Sequence, residues 1–332
     1  MKFLHQNDIL FISFVFLLFR YLSLWYRRPI AVVFCLSYLF IVSNFVAADE
    51  LKQPVMPEKN DATLRIVISG AFVSQAGIGV YNDIASYLQN KLNEKTEFIP
   101  GFSYSTINNM LIKGIANIGF VCGLPYVLMK EKASDSIELV AAPVMKDKRY
   151  GGKPHYFSYI IVPKESKFQH FSDLKGSRFV FNEEISNSGY NMPRAFMIKH
   201  GITNGFFGKI LRSGSHEESI RMIAMGKADA SAVDSVVYDY DKAKHPEYVS
   251  QTRIIETLGP ASIPPVVVST KTPETIREKI KEILLGMNKD PAGKAILDKA
   301  LLEKFTAVDD SHYDDIRGML NLARKTGFLK IR

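Results

Sequence analysis

Ser186-Asn187-Ser188-Gly189-Tyr190-Asn191-Met192-Pro193-Arg194 lies between a strand-like run, Arg178-Phe179-Val180-Phe181, and a helix-like run, Ala195-Phe196-Met197-Ile198. A strand that passes through a short polar turn into a helix is the repeating step of an α/β fold. The turn is built from residues that cap helices: Ser and Asn oxygens accept the orphan backbone N–H groups of a first turn. Those N–H groups, with the positive end of the helix dipole, also form a site for an anion. Hydroxyls beside them add donors, and Gly189 admits a ligand close to the backbone. Two readings follow: a tetrahedral oxyanion held at Ser186, Asn187 and Ser188, or an ordinary capped helix after a strand.

Outward from this stretch the same alternation recurs. Upstream, strands are expected at Leu64–Ile68, Glu97–Ile99, Asn117–Val121 and Leu139–Val144, with helices over Val80–Leu92, after the cap Ser103-Tyr104-Ser105-Thr106, and from Pro125. Apolar residues recur at helical spacing in these helices. A glycine-rich break, Tyr150-Gly151-Gly152-Lys153-Pro154, precedes a restart at Tyr156–Val162. Downstream, Ser213–Ser219 caps a helix bearing Ile220, Ile223 and Ala224, and Ala228–Asp234 is a strand ending in a carboxylate. Residues 235–250 read as helix, Arg253–Leu258 and Pro265–Ser269 as strands, and 273–286, 291–302 and 309–325 as helices. The pattern predicts two α/β lobes, each a mostly parallel sheet flanked by helices. Lobe 1 is expected over 64–155 and 257–332, lobe 2 over 156–256. A ligand cleft between such lobes is a common arrangement.

Composition narrows the function. The 332 residues are 47% hydrophobic and 23% charged, with a net charge of +8. Residues 1–48 hold four of the basic residues and one acidic residue, so the remainder carries +5. The basic residues are dispersed, which argues against nucleic acid. Arg27-Arg28, the apolar run Ile30–Val42 and the small residues to Ala48 read as a secretory signal cleaved after Ala48; a second apolar run, Ile9–Phe19, leaves open a later start or a membrane segment. Residues 49–63 read as a flexible mature N-terminus. Cys35 lies in the leader, and Cys122, in the run Ile118–Cys122, reads as a buried small hydrophobe.

Several segments together resemble a known family. They are Tyr104 opening a helix with Leu111–Gly119, Tyr156–Val162 with Asp173-Leu174-Lys175-Gly176, Ser186-Asn187-Ser188-Gly189-Tyr190, and Gly214–Ile220 with Gly226-Lys227-Ala228-Asp229. In order and spacing they resemble the PhnD-like periplasmic substrate-binding proteins of phosphonate, phosphite and phosphate ABC importers, over about Leu64 to Gly318. The resemblance implies a two-lobed type II binding-protein fold that closes on its ligand through a hinged cleft. It implies an oxyanion held at Ser186, Asn187 and Ser188, with Asn187 standing where the family usually has Thr. It further implies a site histidine at His216, aromatic contacts at Tyr104 and Tyr156, and a polar recognition group at Asp234.

Each of these residues has a reading of its own. His216 follows Ser215 at a helix start and can donate to an anion, or lie at the surface of a first turn. Tyr104 and Tyr156 can donate phenolic O–H groups or pack in the core. Asp234 can meet a ligand amine or cap the helix at Ser235. Arg194, one turn into its helix, is expected to point outward. The function expected is capture of a phosphorus oxyanion for an ABC importer in the periplasm, with no cofactor, no metal and no chemistry. The protein would act as a monomer whose partner is the importer's membrane component. A sensory binding protein reporting to a membrane receptor is the alternative. A hydrolase using Ser188 and His216 is disfavoured: no Gly-x-Ser-x-Gly elbow or His-Glu-x-x-His helix is present, and seven histidines are scattered.

Overall fold

Among the described residues, eleven strands fall into two sheets. A computed structural model describes residues 63–69, 77–202 and 205–332. The leader expected over 1–48 lies outside the described residues, as does the polar stretch after it up to residue 62.

The first sheet has six strands in the order β11-β4-β10-β3-β1-β2. They are β1 (Leu64–Ile68), β2 (Thr96–Ile99), β3 (Ile118–Phe120), β4 (Ile137–Met145), β10 (Val266–Ser269) and β11 (Leu302–Thr306). The second sheet runs β7-β6-β8-β5-β9. Its strands are β5 (His155–Pro163), β6 (Arg178–Phe181), β7 (Lys209–Arg212), β8 (Ala230–Asp234) and β9 (Thr252–Ser262). Between them lie α1 (Ile78–Leu92), α2 (Tyr104–Lys113), α3 (Gly123–Ala133), α4 (Met192–Lys199), α5 (His216–Ala224), α6 (Ser235–Lys244), α7 (Pro246–Val249), α8 (Glu274–Gly286), α9 (Pro291–Lys299) and α10 (Asp314–Thr326).

Helices cover both faces of each sheet, so successive strand residues are buried on opposite sides. Ile66, Phe120, Val266 and Val268 enter one core cluster, while Val67, Val121 and Val267 enter another with Ile107 and Leu111 of α2. In the second sheet Phe179, Ile160 and Ala232 face one way, and Val180, Ile161 and Val233 the other. This two-sided burial is why these strands are continuous apolar runs rather than alternating ones.

The expectation of mostly parallel sheets is corrected: both are mixed. β1 pairs in parallel with β2 and β3, and β6 with β7 and β8. β10 is antiparallel to both β3 and β4, β11 to β4, and β5 to both β8 and β9. The cause is the route of the chain. β10 arrives from the other lobe, so it enters the first sheet beside Phe120, at the end where β3 finishes. A strand entering at that end must run against its neighbours.

Three further details differ from expectation. β9 extends through 257–262, paired with β5 to Ser262, so the chain returns to the first sheet only at 263–265. The helix expected over 235–250 is broken at Pro246, which cannot continue a helix hydrogen-bond ladder. The strand β11 was not expected. Its sequence, Leu302-Glu303-Lys304-Phe305-Thr306, is half polar because it lies at the sheet edge, with only Leu302 and Phe305 buried.

Candidate functional site

β6 ends at Phe181, and the chain then makes a buried turn of π-helix, Asn187–Asn191, that runs into α4. Ser186 caps this turn in extended conformation, its Oγ accepting the Gly189 N–H at 3.0 Å. Ser158 Oγ on β5 donates to the Ser188 carbonyl at 2.7 Å and holds the turn against the sheet. Gly189 has a steric role: a Cβ there would run into Asn182 Oδ1. Ser186 therefore spends its acceptor on the cap, although its hydroxyl hydrogen remains a donor.

The turn presents Asn187 and Ser188 to side chains from β5, β8 and α5. Asn187 Nδ2 donates to Tyr156 Oη at 3.1 Å, and its own Oδ1 accepts from Asn191 Nδ2 at 3.0 Å. Ser188 Oγ donates to Asp234 Oδ2 at 3.3 Å and lies 3.4 Å from His216 Nε2. Asp234, at the end of β8, caps α6 by accepting the Val236 N–H at 2.8 Å. It can serve as cap and site residue at once because its two oxygens face different ways. Tyr104, first residue of α2, reaches Asn182 Nδ2 at 3.1 Å. All of these side chains are buried. The structure thus brings Tyr104, Tyr156, Asn187, Ser188, His216 and Asp234 into one network, with Ser186 supporting it from behind.

Electrostatics in the network are unusual for an anion site. Among the described residues no Lys or Arg hydrogen-bonds any of these six side chains directly; Arg194 reaches Asn187 only through Asn191. Burial pushes the Asp234 carboxyl well above the usual carboxylate range, and pushes the phenols of Tyr104 and Tyr156 further up, so both remain O–H donors. Burial pushes the His216 imidazole down to about 3, so it is neutral. Its tautomer is set by the Asp234 backbone N–H, which donates to Nδ1 at 3.3 Å and leaves the proton on Nε2. The Asn182 amide stands 3.2 Å from that Nε2, and its Oδ1 has no partner among the described residues. With the amide turned over, one oxygen accepts from both His216 Nε2–H and the Tyr104 hydroxyl, the pairing these donors require.

Arg194 does not point outward. It is buried, with Nη1 donating to the Leu329 carbonyl and Nη2 to Asn191 Oδ1, each at 2.7 Å, and its cation lies over the Tyr190 ring. Three residues of the network were not anticipated: Asn182, Ser158 and Cys122, whose Sγ accepts the Asn187 N–H at 3.3 Å. Asn182 and Cys122 each lie just beyond the C-terminal end of a strand with a parallel neighbour, where α/β sheets present ligand groups. That position was the available signal. Among the described residues no cluster of ligating side chains suits a metal.

A family model described as "ABC transporter, phosphonate, periplasmic substrate-binding protein" matches residues 74–313. The chain belongs to this family. Among its relatives are the "Probable ABC transporter phosphite binding protein PhnD1" of Prochlorococcus marinus, 24% identical over 71% of this chain and 81% of that protein, and the "Phosphonates-binding periplasmic protein" of Escherichia coli, 26% identical over 50% of each. Two solved structures share the fold. A binding protein component of an ABC phosphonate transporter from Pseudomonas aeruginosa superposes with TM-score 0.73 at 18% identity, covering 82% of this chain and 90% of that one. PhnD1 from Prochlorococcus marinus, solved with methylphosphonate, gives 0.70 at 21% identity, covering 81% and 99%. The two-lobed α/β architecture, the family and the importer as partner are as expected. Members of this family act in the periplasm, and no helix among the described residues is long and apolar enough to cross a membrane.

Proposed function

We propose that the protein captures a phosphorus oxyanion, a phosphonate, phosphite or phosphate, and delivers it unchanged to an ABC importer. The observation that carries this reading is the convergence of neutral donors on one buried turn: Asn187, Ser188, His216 Nε2–H and two tyrosine hydroxyls. Neutral donors suit a ligand that must be released again, because several hydrogen bonds to the ionised group supply the affinity without a fixed ion pair. The family supports the ligand class. Export by the leader, with cleavage after Ala48, completes the reading.

Ser188, His216 and Asp234 invite comparison with a hydrolase triad, and the tautomer argues against one. A triad histidine has its Nδ1–H held by a carboxylate so that Nε2 accepts the serine proton. Here Nδ1 accepts a backbone N–H, Nε2 is the donor, and the Asp234 carboxyl takes the serine hydroxyl directly. Ser188 has no base.

Titration calorimetry with phosphate, phosphite, methylphosphonate and 2-aminoethylphosphonate tests the proposal. Binding of at least one is expected, weakened about tenfold or more in Ser188→Ala, since a hydrogen bond to a charged group contributes about 1.5–3 kcal/mol. A folded protein that binds none of the four would refute it.

A further inference from the structure

The sulfur of Cys122 stands where the lobes meet. Cys122 follows β3 and is the residue before α3. From the other lobe the N–H of Asn187, first residue of the π turn, donates to its sulfur at 3.3 Å. The sulfur of a first-lobe residue thus meets the backbone at the start of the second lobe's turn. Burial pushes its thiol up to about 11, so at neutral pH the group is an uncharged S–H.

A tetrahedral phosphorus centre has four substituents. The turn and the residues around it, all in the lobe of the second sheet, offer donors enough for the ionised oxygens. The fourth substituent then faces the lobe of the first sheet. From that lobe, among the described residues, Tyr104 and Cys122 reach the network. Tyr104 brings a hydroxyl. Cys122 brings a polarisable surface with a weak donor and a weak acceptor, and its acceptor is already engaged by the Asn187 N–H.

We infer that Cys122 selects the fourth substituent on phosphorus. Its thiol packs against a hydrogen atom or a small alkyl group and gives the extra hydroxyl of a phosphate no strong partner. The inference rests on the oxyanion reading above and deepens it. A pocket that fails to pair a buried hydroxyl rejects the hydroxylated ligand more strongly than one that merely loses a contact.

The experiment compares dissociation constants of phosphate, phosphite and methylphosphonate for the wild type, Cys122→Ser and Cys122→Ala. Wild type is expected to bind phosphite or methylphosphonate more tightly than phosphate. Cys122→Ser, which installs a compact donor and acceptor, shifts the phosphate-to-methylphosphonate ratio roughly tenfold toward phosphate. Cys122→Ala, which installs none, keeps the wild-type order. A ratio unchanged within about twofold in Cys122→Ser, with the constants moving together, makes Cys122 a packing residue and overturns the inference, as does a wild-type preference for phosphate. A wild type that binds none of the three overturns this inference, and one that also leaves 2-aminoethylphosphonate unbound removes the oxyanion reading with it. Should Cys122→Ser fail to fold, iodoacetamide labelling of the unmutated full chain, read by mass spectrometry of the Cys122 peptide, decides. Saturating ligand is expected to slow labelling at least tenfold, and an unchanged rate with ligand demonstrably bound overturns the inference.

Discussion

In the proposed oxyanion site Asp234 is the residue with the most consequence for binding, because a carboxyl beside an oxyanion needs a proton between them. Burial raises its pKa, so the folded protein keeps that proton to higher pH than an exposed aspartate does. Binding therefore carries one proton, on Asp234 or on the ligand, whose second ionisation falls near pH ~6 for phosphoryl groups. Affinity is expected to fall about tenfold per pH unit once that proton is lost from the free partners, and calorimetry of Asp234→Asn should show a flatter profile. Equal slopes for both proteins would place the proton elsewhere. His216 gives the opposite sign in stability. Its pKa is depressed from 6.5 to about 3, so the unfolded chain binds a proton that the folded chain refuses. Its contribution is whole above the unfolded value and is lost as pH falls toward the folded one, at about 1.4 kcal/mol per unit. The raised carboxyl of Asp234 works against this loss but is common to wild type and variant. Thermal midpoints of His216→Gln should fall less than those of wild type between neutral pH and about pH 4. Residues of the candidate site and its surroundings were legible at this scale where local chemistry defines them: Ser186, Ser215 and Asp234 announce themselves as caps. Asn182, Cys122 and the inward turn of Arg194 were not, since each is defined by a partner far along the chain.

The elements were legible wherever periodicity or a cap marked them. β1, α1, α2 and β6 lie within a residue or two of their expected bounds because a buried strand or an amphipathic helix carries its pattern in its own residues. Strand direction carries no such mark. The return of the chain to lobe 1 was expected, but nothing in Val266-Val267-Val268 says which way β10 runs there, and β11 escaped because an edge strand is half polar. The junction of the π turn with α4 gives a prediction that belongs to the element. Arg194 fastens this junction to the chain after α10, through the Leu329 carbonyl and Asn191 Oδ1. Arg194→Met keeps most of the apolar stem and removes both hydrogen bonds, leaving a buried amide oxygen and a carbonyl with fewer partners. Unfolding in urea should show a loss of about 1–3 kcal/mol. A change within about half a kcal/mol, as surface substitutions give, would make the contacts incidental.

At the scale of the molecule the question is what the lobes pivot on. The chain crosses between the sheets from β4 to β5 and again from β9 to β10. Two adjacent crossings permit bending about a hinge. A third tie is not covalent continuity but docking. α10 packs against both lobes: Arg324 is paired to Glu131 and Tyr313 packed on Tyr126 of α3, while the Ile316 carbonyl accepts from Asn191 Nδ2 of the π turn at 3.5 Å. The segment after it is fixed to the second lobe: the Ile331 N–H donates to Tyr190 Oη at 2.9 Å, and the Gly205 N–H to the Arg332 carbonyl at 2.7 Å. Gly327, left-handed at φ 69°, ends α10 and turns the chain toward that attachment. Tyr190 belongs to the turn of the candidate site, so this tie bears on the cleft proposed there. Opening the cleft must loosen these contacts, and a tie that holds only in the closed form raises the closed population. Apparent affinity scales with the fraction of protein in the competent form. Tyr190→Phe keeps the ring against Phe181 and removes one hydrogen bond of the tie, at a cost of about 1 kcal/mol, which corresponds to roughly a fivefold weaker apparent dissociation constant if all of it falls on the closed form. Small-angle scattering of the variant without ligand should show a larger radius of gyration than wild type, and saturating ligand should bring the two together. A weaker affinity with unchanged scattering would locate the effect in the turn itself. No change in either would mean that the segment after α10 rides with one lobe and takes no part in closure.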